Sequence, residues 1–174
     1  VIISLSGVAA FQSLKVAGDT FDVAIQDYFR RSYNMAIGLK TAEYIKIAVG
    51  AVWEPLEMTP ETLAVKGKDM VTGIPVVRKI NHREVAFILE KSISAIERGI
   101  IQTLETCPPE LAADIYQNGM HLTGGGALLR GIKDRFEHTI KLPVHVDKHA
   151  LSSVSKGIAG VLANPKKYAA VLID

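Results

Sequence analysis

Leu122-Thr123-Gly124-Gly125-Gly126-Ala127-Leu128-Leu129-Arg130-Gly131 is the stretch on which the reading of the whole sequence turns. Met120 to Thr123 has the pattern of a short strand, the glycines that of a tight loop, and the residues to about His138 that of a helix. Pro143 to Val146 then reads as a second strand. Strand, glycine loop, helix and strand in that order form the βαβ pattern of an α/β sheet. Consecutive glycines at a strand end let a ligand approach the backbone with no Cβ in the way. A helix beginning just after them would aim free N–H groups and a positive dipole end at the loop, which suits an anion or a nucleotide. Taken alone, the loop reads equally well as a strand–helix turn that binds nothing. It is no Walker loop, because no Gly-Lys-Ser/Thr follows it.

Upstream lies the longest predicted helix. Asn81 with Glu84 three positions on resembles a capping box. Val85, Ile88, Leu89, Ile93, Ile96, Ile100 and Leu104 recur on one stripe, with Glu90, Lys91, Glu97 and Arg98 assigned to the other faces. Pro108-Pro109 ends this helix, and Pro109 opens a short one running to Gly119. Ser153 to Ala163 reads as a final helix. The opening segment predicts short strands at Val1 to Leu5, Val8 to Phe11 and Leu14 to Val16, with Ser6-Gly7 and Gln12-Ser13 between them. Asp19 reads as the N-cap of a helix to Tyr33, and Thr41 as the N-cap of a second helix closed by Gly50. Residues 54–80, rich in Pro, Gly, Thr and Val, read as strands and turns.

Composition narrows the function classes. The chain has 174 residues, 48% apolar and 22% charged, as an ordinary globular domain has. A net charge of +2 with scattered basic residues gives no reason to expect nucleic acid. Cys107 is the only cysteine, so no internal disulfide can form. No apolar run approaches the ~20 residues of a membrane helix. The chain begins on strand-like Val1-Ile2-Ile3-Ser4-Leu5 with neither an initiating Met nor a signal peptide, which predicts a natural N-terminus further upstream. The five histidines show no metal-ligand spacing, and no serine nucleophile elbow is present. Asp19 and Asp22 could touch a metal or a ribose but read more readily as capping or solvent-exposed residues, and Tyr44 and Trp53 read more readily as packing than as stacking.

Glu43 and Lys46, three apart on the second predicted helix, share a face. Such a pair could hydrogen-bond ribose hydroxyls and flank an adenine. By itself it reads more readily as a surface ion pair.

In combination these blocks say more. Val16-Ala17-Gly18-Asp19-x-x-Asp22 comes first, then Thr41-Ala42-Glu43-x-Ile45-Lys46-Ile47 and Val71-Thr72-Gly73-Ile74-Pro75. Leu104-Glu105-Thr106-Cys107-Pro108-Pro109-Glu110-Leu111 follows, then the glycine stretch, then Val154-Ser155-Lys156-Gly157. In order and spacing this series resembles the C-terminal half of the bacterial actins of the MreB type. The resemblance implies an α/β fold of the actin-like ATPase (ribonuclease H-like) superfamily. It places residues 1–17 plus 85–174 in a core subdomain on a mixed sheet, and 18–84 in an inserted α+β subdomain.

It also implies ATP, with Mg²⁺ held mainly by phosphates and waters, as the ligand. Glu43 and Lys46 would line the adenosine side, and Gly124, Gly125, Gly126, Ala127 and Leu128 would close over the adenosine and phosphate region. Gly18 and Asp19 would border the ribose. The implied function is polymerisation into head-to-tail filaments that organise cell-wall synthesis and set rod shape. These would lie at the inner face of a bacterial membrane, with cell-wall synthesis and membrane-associated morphogenesis proteins as partners. Both phosphate loops, the carboxylate that positions the attacking water and the membrane-inserting element belong to the half that would lie upstream of Val1. An actin-fold small-molecule kinase and a non-nucleotide assembly module are the alternative functions.

Overall fold

Three helices carry half of the core because each has an apolar stripe at helical spacing. In the computed structural model, which describes residues 1–4 and 7–168, α1 spans Gly18–Tyr33, α2 Leu39–Val49 and α3 His82–Glu105. Phe21, Ile25 and Phe29 of α1, Ala42, Ile45 and Val49 of α2, and Val85, Leu89 and Ile93 of α3 are all buried together. The ends of these helices follow from local chemistry. Asn81 Oδ1 accepts from the Glu84 N–H at 3.0 Å while Glu84 Oε2 accepts from the Asn81 N–H at 3.1 Å, the reciprocal capping box expected for α3. Two expected caps are wrong by a few residues. Helix α1 starts before Asp19, with Ala17 as N-cap and its N–H donated to the Thr20 hydroxyl. Helix α2 starts before Thr41, because the Gly38 carbonyl already accepts from the N–H groups of Thr41 and Ala42, both at 3.0 Å.

Strand β1 (Ile2–Ser4) pairs antiparallel with β2 (Gly7–Ala10); Leu5 and Ser6 of the expected strand and turn lie outside the described residues. No strand forms at Leu14 to Val16. Leu14 instead rests on α3 at Gly99, where an added Cβ would lie 2.5 Å from its side chain. Gln12 anchors the same segment to Gln102 and Thr103. Strands β3 (Met35–Ala36), β4 (Leu63–Asp69) and β5 (Pro75–Ile80) form a three-stranded antiparallel sheet in that order. Periodicity could not reveal β3, which is two residues long. Its Met35 is buried with Val65 and Ile80 against the helical core.

After α4 (Pro109–Asn118), β6 (Met120–Leu122) and β7 (Val144–Val146) pair in parallel across α5 (Ile132–Ile140), the βαβ unit read from sequence. The hairpin β1–β2 and the pair β6–β7 are separate two-stranded sheets, not the one mixed sheet expected. Side chains Ile3 and Val8 of the hairpin are 70% and 62% exposed, so the described chain does not cover that face. The last helix, α6 (Ser153–Ala163), is also largely exposed. No helix among the described residues is long and apolar enough to cross a membrane.

One buried cation holds the layers together. Arg135 of α5 donates from both terminal nitrogens to Glu90, at 2.6 and 2.8 Å, and from Nε to Glu97 at 2.7 Å. Nη1 also reaches the Val52 carbonyl at 3.2 Å, tying α3 and α5 to the segment that follows α2. Glu97, placed off the apolar stripe of α3 from sequence, is buried, because it sits four residues past Ile93 at the spacing of that stripe. Arg135→Ala is expected to lower unfolding free energy by about 3–5 kcal/mol, since it strands Glu97 as an unpaired buried charge; chemical denaturation measures this. Hydrogen bonds from Arg135 hold the Glu90 carboxyl below the ordinary value of 4.5. A folded value below the unfolded one means that the contribution is present at neutral pH and is lost as pH falls through the folded value. Denaturation at descending pH should show this loss in the wild type and a smaller one in Glu90→Gln.

Candidate functional site

The cleft lies where α2 meets the glycine turn, with apolar side chains of α3 and α5 beneath it. Its volume is about 650 Å³, and Glu43, Lys46 and residues 124–128 all line it, as do Gly18, Thr123 and Leu151. Asp19 is not among its lining residues. Ile93, Ile96, Ile132 and Phe136 form its apolar side. Positions about 80 apart in sequence thus share one wall, joined by backbone and side chain. Val52 donates its N–H to the Arg130 carbonyl at 2.9 Å. Arg130 Nη1 donates to the carbonyls of Ile47 and Gly50 at the end of α2, at 3.2 and 3.4 Å. A guanidinium there satisfies orphan carbonyls and complements the negative end of the helix dipole.

The glycine turn differs from the sequence expectation. Gly125–Leu128 form a single 3-10 turn, and α5 begins only at Ile132, after Gly131. Residues 129–131 therefore separate the glycine turn from the start of α5. Gly131, not the loop, packs there against Trp53, with an added Cβ only 2.7 Å from the Trp53 Cβ. Gly124 has φ of 82° and ψ of 170°, a conformation left almost entirely to glycine. Its N–H donates to the Ala150 carbonyl at 2.9 Å, fixing the turn to residues 150–152. Asp147 braces that second turn: it accepts from the Ser153 hydroxyl and the His149 N–H, which hold its carboxyl below the usual range. A Cβ built at Gly126 would meet nothing within 4 Å, so the backbone there borders open space.

Glu43 and Lys46 do not pair with each other. Glu43 is exposed, while Lys46 Nζ lies 2.8 Å from Asp22 Oδ1 and donates to Oδ2 at 2.9 Å and to the Gly18 carbonyl at 3.2 Å. Asp22, taken from sequence as exposed, is buried. The signal was available: Asp22 stands three residues before Ile25 and seven before Phe29, on the apolar stripe of α1. Tyr44, taken as packing, is 58% exposed, while Trp53 does pack, its ring tilted at 37° against His138 with 4.9 Å between centroids. Arg130 was the other side chain of the site that sequence reasoning passed over. Among the described residues no group of three or more His, Cys, Asp or Glu side chains could hold a metal ion.

The sequence model of the MreB/Mbl protein family matches residues 1–170. The chain belongs to the MreB/Mbl family. It is 39% identical over 166 residues to the cell shape-determining protein Mbl of Bacillus subtilis, covering 95% of this chain and 49% of Mbl. It is 38% identical over 156 residues to the cell shape-determining protein MreB of Escherichia coli K12, covering 90% of this chain and 44% of MreB. MreB5 of Spiroplasma citri, solved bound to ADP, superposes with a TM-score of 0.88 at 37% identity, covering 94% of this chain and 49% of that one. The same protein bound to AMPPNP gives 0.87. The chain thus has the actin-like fold of a bacterial cell shape-determining family, and it spans about half the length of the curated relatives it matches.

Stability should divide the site residues in a way the sequence did not suggest. Lys46→Ala is expected to cost about 3 kcal/mol, since it leaves Asp22 buried without its cation, whereas exposed Glu43→Ala should change stability by about 0.5 kcal/mol at most. Gly124→Ala should cost on the order of 1–3 kcal/mol through backbone strain. Urea titrations of the three variants check all three values.

Proposed function

We propose that the chain supplies one wall of the nucleotide cleft of an ATP-binding bacterial actin. In this reading it polymerises head to tail into filaments that organise cell-wall synthesis at the inner face of the membrane, with cell-wall and membrane-associated morphogenesis proteins as partners. The observation that carries it is the convergence of Glu43 and Lys46 on α2 with residues 124–128 on one cleft. The apolar side of the cleft suits a base, and the open space at Gly126 suits a close approach to backbone. The nucleotides in the two MreB5 structures support the same ligand class here. The cell-shape names of relatives at 38–39% identity favour the filament reading over a small-molecule kinase.

In this reading Glu43 and Lys46 hold the nucleoside by hydrogen bonds and the glycine turn closes over it. A bound triphosphate would bring Mg²⁺ with it, held mainly by phosphates and waters; among the described residues the carboxylates form no metal site. The division into a core of 1–17 plus 85–174 and an inserted 18–84 belongs to the same proposal, the inserted part containing the whole of the β3–β4–β5 sheet.

Titration of the whole protein with a fluorescent ATP analogue tests the reading. Wild type should saturate, and Gly126→Val should weaken binding by at least about tenfold, as a side chain now fills the space the ligand needs. Its melting temperature should stay near that of wild type, because nothing among the described residues lies within 4 Å of that Cβ position. Failure of wild type to bind would end the nucleotide reading, and full affinity in Gly126→Val would remove the glycine turn from the site.

A further inference from the structure

We propose that Asp22 is a positioning residue of the nucleotide site, acting through Lys46. The inference rests on the nucleotide reading above and adds a residue to it. Asp22 is 7% exposed and is not among the residues that line the cleft, whereas Lys46 is. Both carboxylate oxygens lie within 2.9 Å of the Lys46 ammonium, but only Oδ2 accepts an aligned hydrogen bond; Oδ1 is buried with no aligned donor. A lone structural carboxylate would be expected to collect backbone or hydroxyl donors for both oxygens. This one is committed to a single cation.

The consequence is chemical. An ammonium has three N–H donors and no acceptor. Asp22 takes one and the Gly18 carbonyl a second, so one remains for the cleft. The charge is balanced at close range by Asp22. Lys46 therefore acts as a fixed donor for a neutral acceptor, such as a sugar hydroxyl oxygen, and contributes little as a free cation for a phosphate. Gly18 fits the same arrangement: a Cβ there would lie 3.3 Å from Lys46 Nζ, tight enough to displace it. A lysine held in place before the ligand arrives also loses less side-chain freedom on binding.

A double-mutant cycle on the whole protein, read by titration with a fluorescent ATP analogue and by melting temperature, tests this. Asp22→Asn should weaken binding on the order of tenfold, the factor carried by one charge-assisted hydrogen bond. Lys46→Met should weaken it similarly, and the double variant should bind no more weakly than Lys46→Met alone. A merely structural Asp22 would weaken binding by the same factor in both backgrounds, or leave it unchanged, and either result overturns the proposal. Should Asp22→Asn fail to fold, Asp22→Glu keeps the charge and moves the carboxylate by one methylene. Reduced affinity in folded Asp22→Glu supports the proposal, and wild-type affinity overturns it. Absence of binding by the wild type would be a different result, ending the nucleotide reading and this proposal with it.

Discussion

The structure depends on finding acceptors for one buried guanidinium. Arg135 enters the interior from α5 with five N–H donors and a charge that no apolar surrounding tolerates. Glu90 and Glu97 of α3 and the Val52 carbonyl supply the acceptors. Because those acceptors lie on separate stretches of chain, satisfying the cation fixes α3, α5 and the segment after α2 in one geometry. Apolar packing of Ile132 and Phe136 would allow α5 to slide; directional bonds at 2.6–3.2 Å do not. The apolar side of the cleft, made by α3 and α5, inherits that rigidity.

A second junction carries the geometry to the site itself. Arg130 follows the glycine turn and places its guanidinium on the last carbonyls of α2, while its own carbonyl accepts from Val52. The helix bearing Glu43 and Lys46 and the turn bearing the glycines are thus joined on both sides of one residue. The close approach of Leu129 to Gly50, where an added Cβ would lie 3.0 Å from the leucine Cδ2, leaves little room for relative movement. Membership of the MreB/Mbl family, with a match over residues 1–170, places this arrangement in an actin-like fold of which relatives have about twice the length.

Two charged residues were misread for one shared reason. Asp22 sits at the spacing of Ile25 and Phe29, and Glu97 at that of Leu89 and Ile93. A charge on an apolar stripe marks either a stripe edge or a buried ion pair, and a single sequence does not name the partner. Asp22 finds Lys46 from 24 positions away, and Glu97 finds Arg135 from 38. Helix starts slipped in a similar way. Thr41 has the chemistry of an N-cap, but the Gly38 carbonyl already begins the hydrogen-bonded ladder, and cap preference is weaker than the packing that sets where α2 begins.

The sequence by itself determined the elements whose causes are local: the capping box at Asn81, the stripe of α3, the stop at Pro108-Pro109, the βαβ order around the glycines, and the blocks that resemble a bacterial actin. Each rests on residues within a few positions of one another, where spacing and stereochemistry suffice. Only the tertiary structure decided that the glycines form a 3-10 turn with residues 129–131 between it and α5, that β1–β2 and β6–β7 are separate pairs, and that Lys46 belongs to Asp22 and not to Glu43. Those outcomes turn on which distant groups arrive at the same place. A buried charge takes the partner that removes it from water at least cost, and that partner is chosen by packing in space, which separation along the chain does not encode.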